Sequence, residues 1–295
     1  MEKMEKQLQQ VQNLGINEYH GGPGISASQI KKAIKSTAHF FLEDEKSTER
    51  NPNFDMGNAF ELLLTEPENF YKSVLIFDTE ARPDPTKSFA AKVNKEWKAE
   101  ILQSEKIVID TQQFEALQLM VQSCKNDENI NSTLKGAKLQ LSLFWHDPET
   151  GLLLKSRPDV VRYLNEKTVI VNDIKTAQDG SPEGFSKAFA NLNYGIQAAT
   201  QVDAVESALN VKVDHYTYTV VEKLPPYLAQ VYVLNSEEIN FYRQIYKSIL
   251  KRIKRAQDDE QYKAAGYGEN ASGRAGILEL NVPRWHSINL ENKFL

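Results

Sequence analysis

Hydrophobic and polar positions follow one rhythm in the first half of the chain and another in the middle. Ser26 and Gln29 stand at capping-box spacing just after Pro23-Gly24, which predicts a helix from Ser26 to about Phe41. Beyond the loop residues Asn51-Pro52-Asn53, Phe60, Leu63 and Leu64 recur at helical spacing and predict a helix over 58–64 that Pro67 closes. Two more helices are expected over 89–102 and 111–125, with an extended piece at 106–109 between them. From Leu139 the period changes to two. Leu139, Leu141 and Leu143 alternate with Gln140 and Ser142, and Asp147-Pro148-Glu149-Thr150-Gly151 supplies the turn of a hairpin that returns over 152–157. Extended segments at 159–164 and 168–175 follow, giving at least three antiparallel strands. Ser181-Pro182 opens a helix to about Leu209. Strands at 215–221 and 229–234, a basic helix from Ser236 to about Tyr262 and a Gly-rich tail complete the pattern.

This is an α/β chain with a mixed central sheet flanked by helices and an N-terminal helical extension. The expected division is a polar lead-in over 1–24, one domain over 25–263 whose core is about 137–235, and a tail over 264–295. Its 295 residues, 41% apolar and 25% charged, suit a globular protein with a sizeable core. No apolar run approaches the roughly 20 residues of a membrane span, and Met1 to Gln10 lacks the apolar stretch of a secretory signal. A cytoplasmic protein with no membrane partner is expected. Cys124 stands alone, which excludes an internal disulfide and a four-thiolate cluster. A net charge of -5 leaves room for basic residues gathered in one groove.

The chemistry concentrates in Arg157-Pro158-Asp159 and, fourteen positions after that aspartate, Asp173-Ile174-Lys175-Thr176. Residues two apart on a strand share a face, so Asp173 and Lys175 project together while Ile174 faces the core. A hairpin of that length brings Asp159 beside Asp173. Two adjacent carboxylates repel, and a hard divalent cation, Mg²⁺ or Mn²⁺, relieves the repulsion. Lys175 can then orient or help deprotonate a water and stabilise charge on a phosphate. Taken alone, an Asp-x-Lys on a strand is more often plain surface.

Further motifs resemble those of one nuclease family in its own order. They are Tyr19-His20-Gly21-Gly22-Pro23-Gly24-Ile25-Ser26, Gly57-Asn58-Ala59-Phe60 with Glu66-Pro67, Trp145 through Gly151, the two acidic motifs above, and Pro283-Arg284-Trp285. Together they resemble the RecE nuclease domain, exodeoxyribonuclease VIII, of the PD-(D/E)xK superfamily, over most of the chain. The resemblance implies a restriction-endonuclease-like core and a Mg²⁺-dependent exonuclease that degrades one strand of linear duplex DNA from its 5′ end. The 3′ overhangs would serve recombination by a single-strand annealing protein of the RecT type. It also implies a ring-shaped homo-oligomer, a tetramer, and a phage or prophage origin. Carried over by position, Asp159 and Asp173 are metal ligands, the Ile174 carbonyl is a further ligand, and Lys175 is the catalytic lysine.

Two positions depart from the family. Glu61 stands where the family has a metal-binding histidine, a change suited to Mg²⁺ because a carboxylate is the harder ligand, and Glu61 is kept as a ligand. Gln197-Ala198-Ala199-Thr200-Gln201 replaces the family's Gln-x-x-x-Tyr. Phe185, Phe189, Leu192 and Ile196 share one helical face, and Tyr194, Gln197 and Gln201 lie broadly opposite. Gln197 and Tyr194 are expected at DNA, while Gln201 has no assigned part. Lys155 and Arg157 share the strand face of Asp159 and suit phosphate contacts, or simply neutralise the carboxylates. Lys247, Lys251, Arg252, Lys254 and Arg255 could track a DNA backbone or form a solvated helix face. The histidines show no zinc spacing. The rival readings are an inactive or weakly active DNA-binding scaffold on the same fold, kept open by Glu61 and Gln201, and an endonuclease of the same superfamily.

Overall fold

A computed structural model describes residue 12 and residues 14–42, 52–259 and 280–294. Three helices come first, α1 (Ile16–Gly21), α2 (Ala27–Lys35) and α3 (Thr37–Phe41), then α4 (Pro52–Thr65) and α5 (Pro67–Ser73). Strand β1 (Val74–Phe77) pairs in parallel with β2 (Ile107–Asp110) across α6 (Lys92–Ile101). Next come α7 (Thr111–Asn126), α8 (Glu128–Leu134), β3 (Lys138–Leu139), β4 (Leu143–His146), β5 (Leu153–Ser156), β6 (Val160–Asn165) and β7 (Thr168–Ala177). The remainder is α9 (Pro182–Asn191), α10 (Tyr194–Leu209), β8 (Lys212–Glu222), β9 (Ala229–Leu234), α11 (Ser236–Asp258) and α12 (Arg284–Phe294).

The central sheet has the order β3-β6-β7-β8-β9, with β7 and β8 parallel and the other pairs antiparallel. The parallel pair requires a crossover, which α9 and α10 provide. One face carries Val169, Val171, Tyr216, Tyr218 and Val220, packed with Ile30, Ile196, Val202, Tyr246 and Leu250 from α2, α10 and α11. The other carries Val160, Ile174 and Val221, packed with Phe60, Leu117, Met120 and Ile130 from α4, α7 and α8. A mixed sheet between helical layers is the expected fold class.

Several boundaries differ from expectation for local reasons. Ser36 adopts an extended φ of -171° and its hydroxyl accepts the His39 N–H, so it ends α2 and caps α3. Asn193, in the left-handed region at φ 51°, divides the expected helix over 182–209 into α9 and α10. Pro67 follows the end of α4 and takes the first turn of α5, where its missing N–H costs nothing. The β4–β5 hairpin forms where predicted, but it is a separate two-stranded pair and not part of the main sheet. Its link to the N-terminal segment runs through the pairing of Ile25 with Leu154. Gly24, at φ +99°, brings the chain so close that an added Cβ would stand 3.2 Å from the Leu154 carbonyl carbon. Helices α1, α5, α8 and α12 and strand β1 were not foreseen. The end of the predicted basic helix and most of the tail lie outside the described residues.

Candidate active site

Strand β7 carries the site. Asp173 and Lys175 point to one face, while Ile174 packs into the opposite core. Val160 pairs with Asn172, which sets Asp159, the residue before β6, alongside Asp173. The Asp159 Oδ2 accepts the Ile174 backbone N–H at 2.7 Å. Glu61, from α4, reaches the same point, close enough for its carboxyl and that of Asp159 to perturb one another.

The Asp173 carboxylate is fully buried. Its Oδ1 accepts two side-chain amides, Gln197 Nε2 at 2.7 Å and Gln201 Nε2 at 3.1 Å. Since a carboxylate only accepts, Gln201 must turn its nitrogen toward it, leaving Oε1 for the Tyr216 hydroxyl at 2.6 Å. Gln201, which the sequence left unassigned, therefore holds Asp173 in place and is itself held by Tyr216. The other oxygen, Asp173 Oδ2, forms an ion pair with the Lys175 ammonium but has no donor in hydrogen-bonding geometry.

Electrostatics follow from three carboxylates sharing a water-poor space with Lys175. Burial, and then the Glu61 and Asp173 charges, raise the Asp159 pKa well above the carboxylate range. Burial also raises Glu61, with Asp173 adding to the rise while Lys175 and Gln140 oppose it. For Lys175, burial favours the neutral amine, but Asp173 and Asp159 outweigh it and raise its pKa.

Among the described residues no three of His, Cys, Asp and Glu stand grouped closely enough to enclose a metal ion. The oxygens are taken up by Lys175, two glutamines and Gln140 instead. The donor set nevertheless fits a hard divalent cation. It consists of carboxylate oxygens, it repels itself, and Asp173 Oδ2 is buried without a directed donor. Asp159, Asp173 and Glu61 are the residues that would hold such an ion.

Sequence reasoning missed Gln140. Its N–H bonds to the Asp159 carbonyl at 3.0 Å, and its positive φ of 53° turns the chain from β3 toward the hairpin. Its amide donates to Glu61 Oε1, and its Oε1 accepts from Arg157 Nε at 2.8 Å. Arg157 also donates to the Leu14 carbonyl at 2.6 Å and to Ser142 Oγ at 3.0 Å. The guanidinium thus braces Glu61 through Gln140. Nothing in the sequence marks this relay.

Lys155 is placed away from the carboxylates, contrary to the shared face expected of it. Pro158 lies between β5 and β6, so the strand does not continue from Lys155 to Asp159. Lys155 is 5% exposed, and its ammonium donates to the Tyr19, His20 and Gly22 carbonyls at 3.0, 3.0 and 2.6 Å. All three of its protons are engaged at the end of α1, which makes it an anchor for the N-terminal segment. In the basic helix, Lys247 pairs with buried Asp147, Lys251 with Glu149 at 2.7 Å and Lys254 with Asp258 at 2.6 Å. These three charges are answered within the chain.

Tyr194 opens α10 beside the site, its ring centroid 5.2 Å from the Lys175 ammonium. The next residue, Gly195, could not carry a side chain, since a Cβ would stand 2.1 Å from the Tyr242 ring. That close crossing of α10 and α11 fixes the first turn carrying Tyr194 and Gln197.

The fold has relatives of known structure. A crystal structure from Eubacterium rectale, of a protein named "Putative exonuclease", superposes with a TM-score of 0.56 at 12% identity, covering 94% of this chain and 98% of its own. A second, SSO0001, aligns at a TM-score of 0.28 and 13% identity over 65% of this chain and 85% of its own, too distant to bear on the fold. No curated protein matches the sequence. Residues 26–270 match a family profile and contain Glu61, Asp159, Asp173 and Lys175, so this chain belongs to the family described as PDDEXK-like domain of unknown function (DUF3799), a nuclease fold.

Proposed function

We propose that this protein is a divalent-metal-dependent exonuclease that hydrolyses one strand of linear duplex DNA from its 5′ end and leaves 3′ overhangs. The observation that carries the nuclease reading is the convergence of Glu61, Asp159 and Asp173 on Lys175 at a buried point of the sheet. A cation held by these carboxylates and the Ile174 carbonyl, Mg²⁺ with Mn²⁺ as a substitute, would supply Lewis-acid polarisation of the phosphate and the water. Lys175 orients that water and offsets charge gathering on the phosphate. Gln197 and Gln201 keep Asp173 aimed, and Tyr194 forms the wall next to the lysine. Polarity, overhang, a RecT-type annealing partner and a tetrameric ring rest on the motif resemblance to RecE. The name of the Eubacterium rectale protein agrees with exonuclease chemistry.

The test is digestion of linear duplex DNA labelled at either the 5′ or the 3′ end, with Mg²⁺ or EDTA, by wild type and Lys175→Ala, with closed circles as control. Early release of the 5′ label by wild type only, with Mg²⁺ only and circles spared, is expected. Cutting of circles would make it an endonuclease. No cleavage with Mg²⁺ or Mn²⁺ would leave a DNA-binding scaffold.

A further inference from the structure

Lys31 stands on a neighbouring helix and forms no hydrogen bond or ion pair with the carboxylates described above, among the described residues. It lies on α2, which packs on α10 through Ile30 and Ala33. Its ammonium is 5.2 Å from the centroid of the Tyr194 ring, the same distance as that of Lys175. The two ammoniums are therefore no further apart than twice that distance. Lys31 is half-buried, and among the described residues no carboxylate forms an ion pair with it. Burial, and then repulsion from Lys175, lower its pKa to about 8, with Asp173 pulling the other way. With that value Lys31 remains mainly charged at neutral pH.

A cation brought near another cation, partly withdrawn from water and given only an aromatic face, is poorly compensated. The face of an aromatic ring holds a cation less strongly than a charge-assisted hydrogen bond to an anion in a dry site. Asp173 and Glu61 are already engaged with Lys175, Gln140, Gln197 and Gln201. An anion bound beside Tyr194 would sit in the field of both Lys31 and Lys175. We propose that Lys31 is a substrate-binding residue whose ammonium takes a backbone phosphate at or next to the bond attacked. This rests on the nuclease reading above for the nature of the anion. Tyr194 acts as the spacer: its ring keeps the two lysines on one site while Lys175 stays with Asp173.

The experiment is fluorescence anisotropy of a short labelled linear duplex with Ca²⁺ in place of Mg²⁺, as a function of salt, for wild type, Lys31→Ala and Lys31→Arg. One lost phosphate contact lowers the slope of log K against log salt by about 0.9. Lys31→Ala is expected to bind about tenfold more weakly at low salt with that smaller slope, and Lys31→Arg to restore most of both. Where cleavage is measured, Lys31→Ala raises KM about tenfold and changes kcat much less. An unchanged salt slope in a folded Lys31→Ala protein overturns the proposal. A wild type that cleaves nothing would refute the nuclease reading, while the slope difference would still decide whether Lys31 meets a phosphate.

Discussion

Replacing Lys155 with methionine keeps an unbranched stem of similar volume in the buried slot but removes the ammonium. Three carbonyls, those of Tyr19, His20 and Gly22, then lose their donor at 3.0, 3.0 and 2.6 Å. A hydrogen bond to a charged group contributes about 1.5–3 kcal/mol net. The three do not add in full, because they share one charge and because burial already disfavours it, lowering the lysine's pKa. A cost of about 2–4 kcal/mol is expected. At roughly 2–4 °C per kcal/mol for a chain of this size, thermal unfolding should move down by about 5–15 °C. The assay is a melt followed by circular dichroism, paired with DNA binding across a salt series below the melting point. The expected result is a large fall in Tm with an unchanged salt slope, since the ammonium faces carbonyls and not phosphate. A Tm within about 2 °C of wild type, corresponding to about 1 kcal/mol or less, together with a reduced salt slope, would refute the anchor and return Lys155 to the DNA surface.

The raised carboxyls give the apo protein a definite pH dependence. Between the ordinary carboxylate values of about 4 and the raised values of Glu61 and Asp159, the folded state binds more protons than the unfolded chain, so stability falls as pH rises through that window. Melts in EDTA should show this fall, Mg²⁺ or Mn²⁺ should reverse it, and Asp159→Asn should flatten it while abolishing the metal response. A metal-free Tm that rises over the same range would contradict the shared burial of the two groups. Gln140→Ala removes the donor that aims Glu61, and a loss of about 10–100-fold in metal affinity or activity is expected. Titration of Mn²⁺ by calorimetry reads the affinity directly, and wild-type affinity would show that Glu61 needs no brace.

Much of the site was legible because it is local. Asp173 and Lys175 share a face by the two-residue period of a strand, and the short return to Asp159 needs only a hairpin. Glu61 could be named only through the resemblance of its helix to a family, since a glutamate after Gly57-Asn58-Ala59-Phe60 carries no chemical signal of its own. The hairpin turn at 147–151 followed from turn chemistry, but its detachment from the main sheet did not. Alternation fixes which way side chains point and leaves open which strand is the neighbour. Gln197 and Gln201 looked like one polar stripe on a helix, and whether that stripe faces water or Asp173 depends on where α10 packs.

By itself, the sequence determined the period of each segment, the strand face of Asp173 and Lys175, and the lack of a multi-cysteine or paired-histidine metal motif. Tertiary structure alone decided that Gln140 braces Glu61 across 79 positions, that Lys155 is held by the chain 136 positions earlier, and that Lys31 lies beside Tyr194 with no ion-paired carboxylate among the described residues. The physical reason is that propensity and period act over a few residues. The partner of a buried charge is set by which distant segments the two cores bring together, and the cost of leaving a polar group unsatisfied applies only once that burial exists.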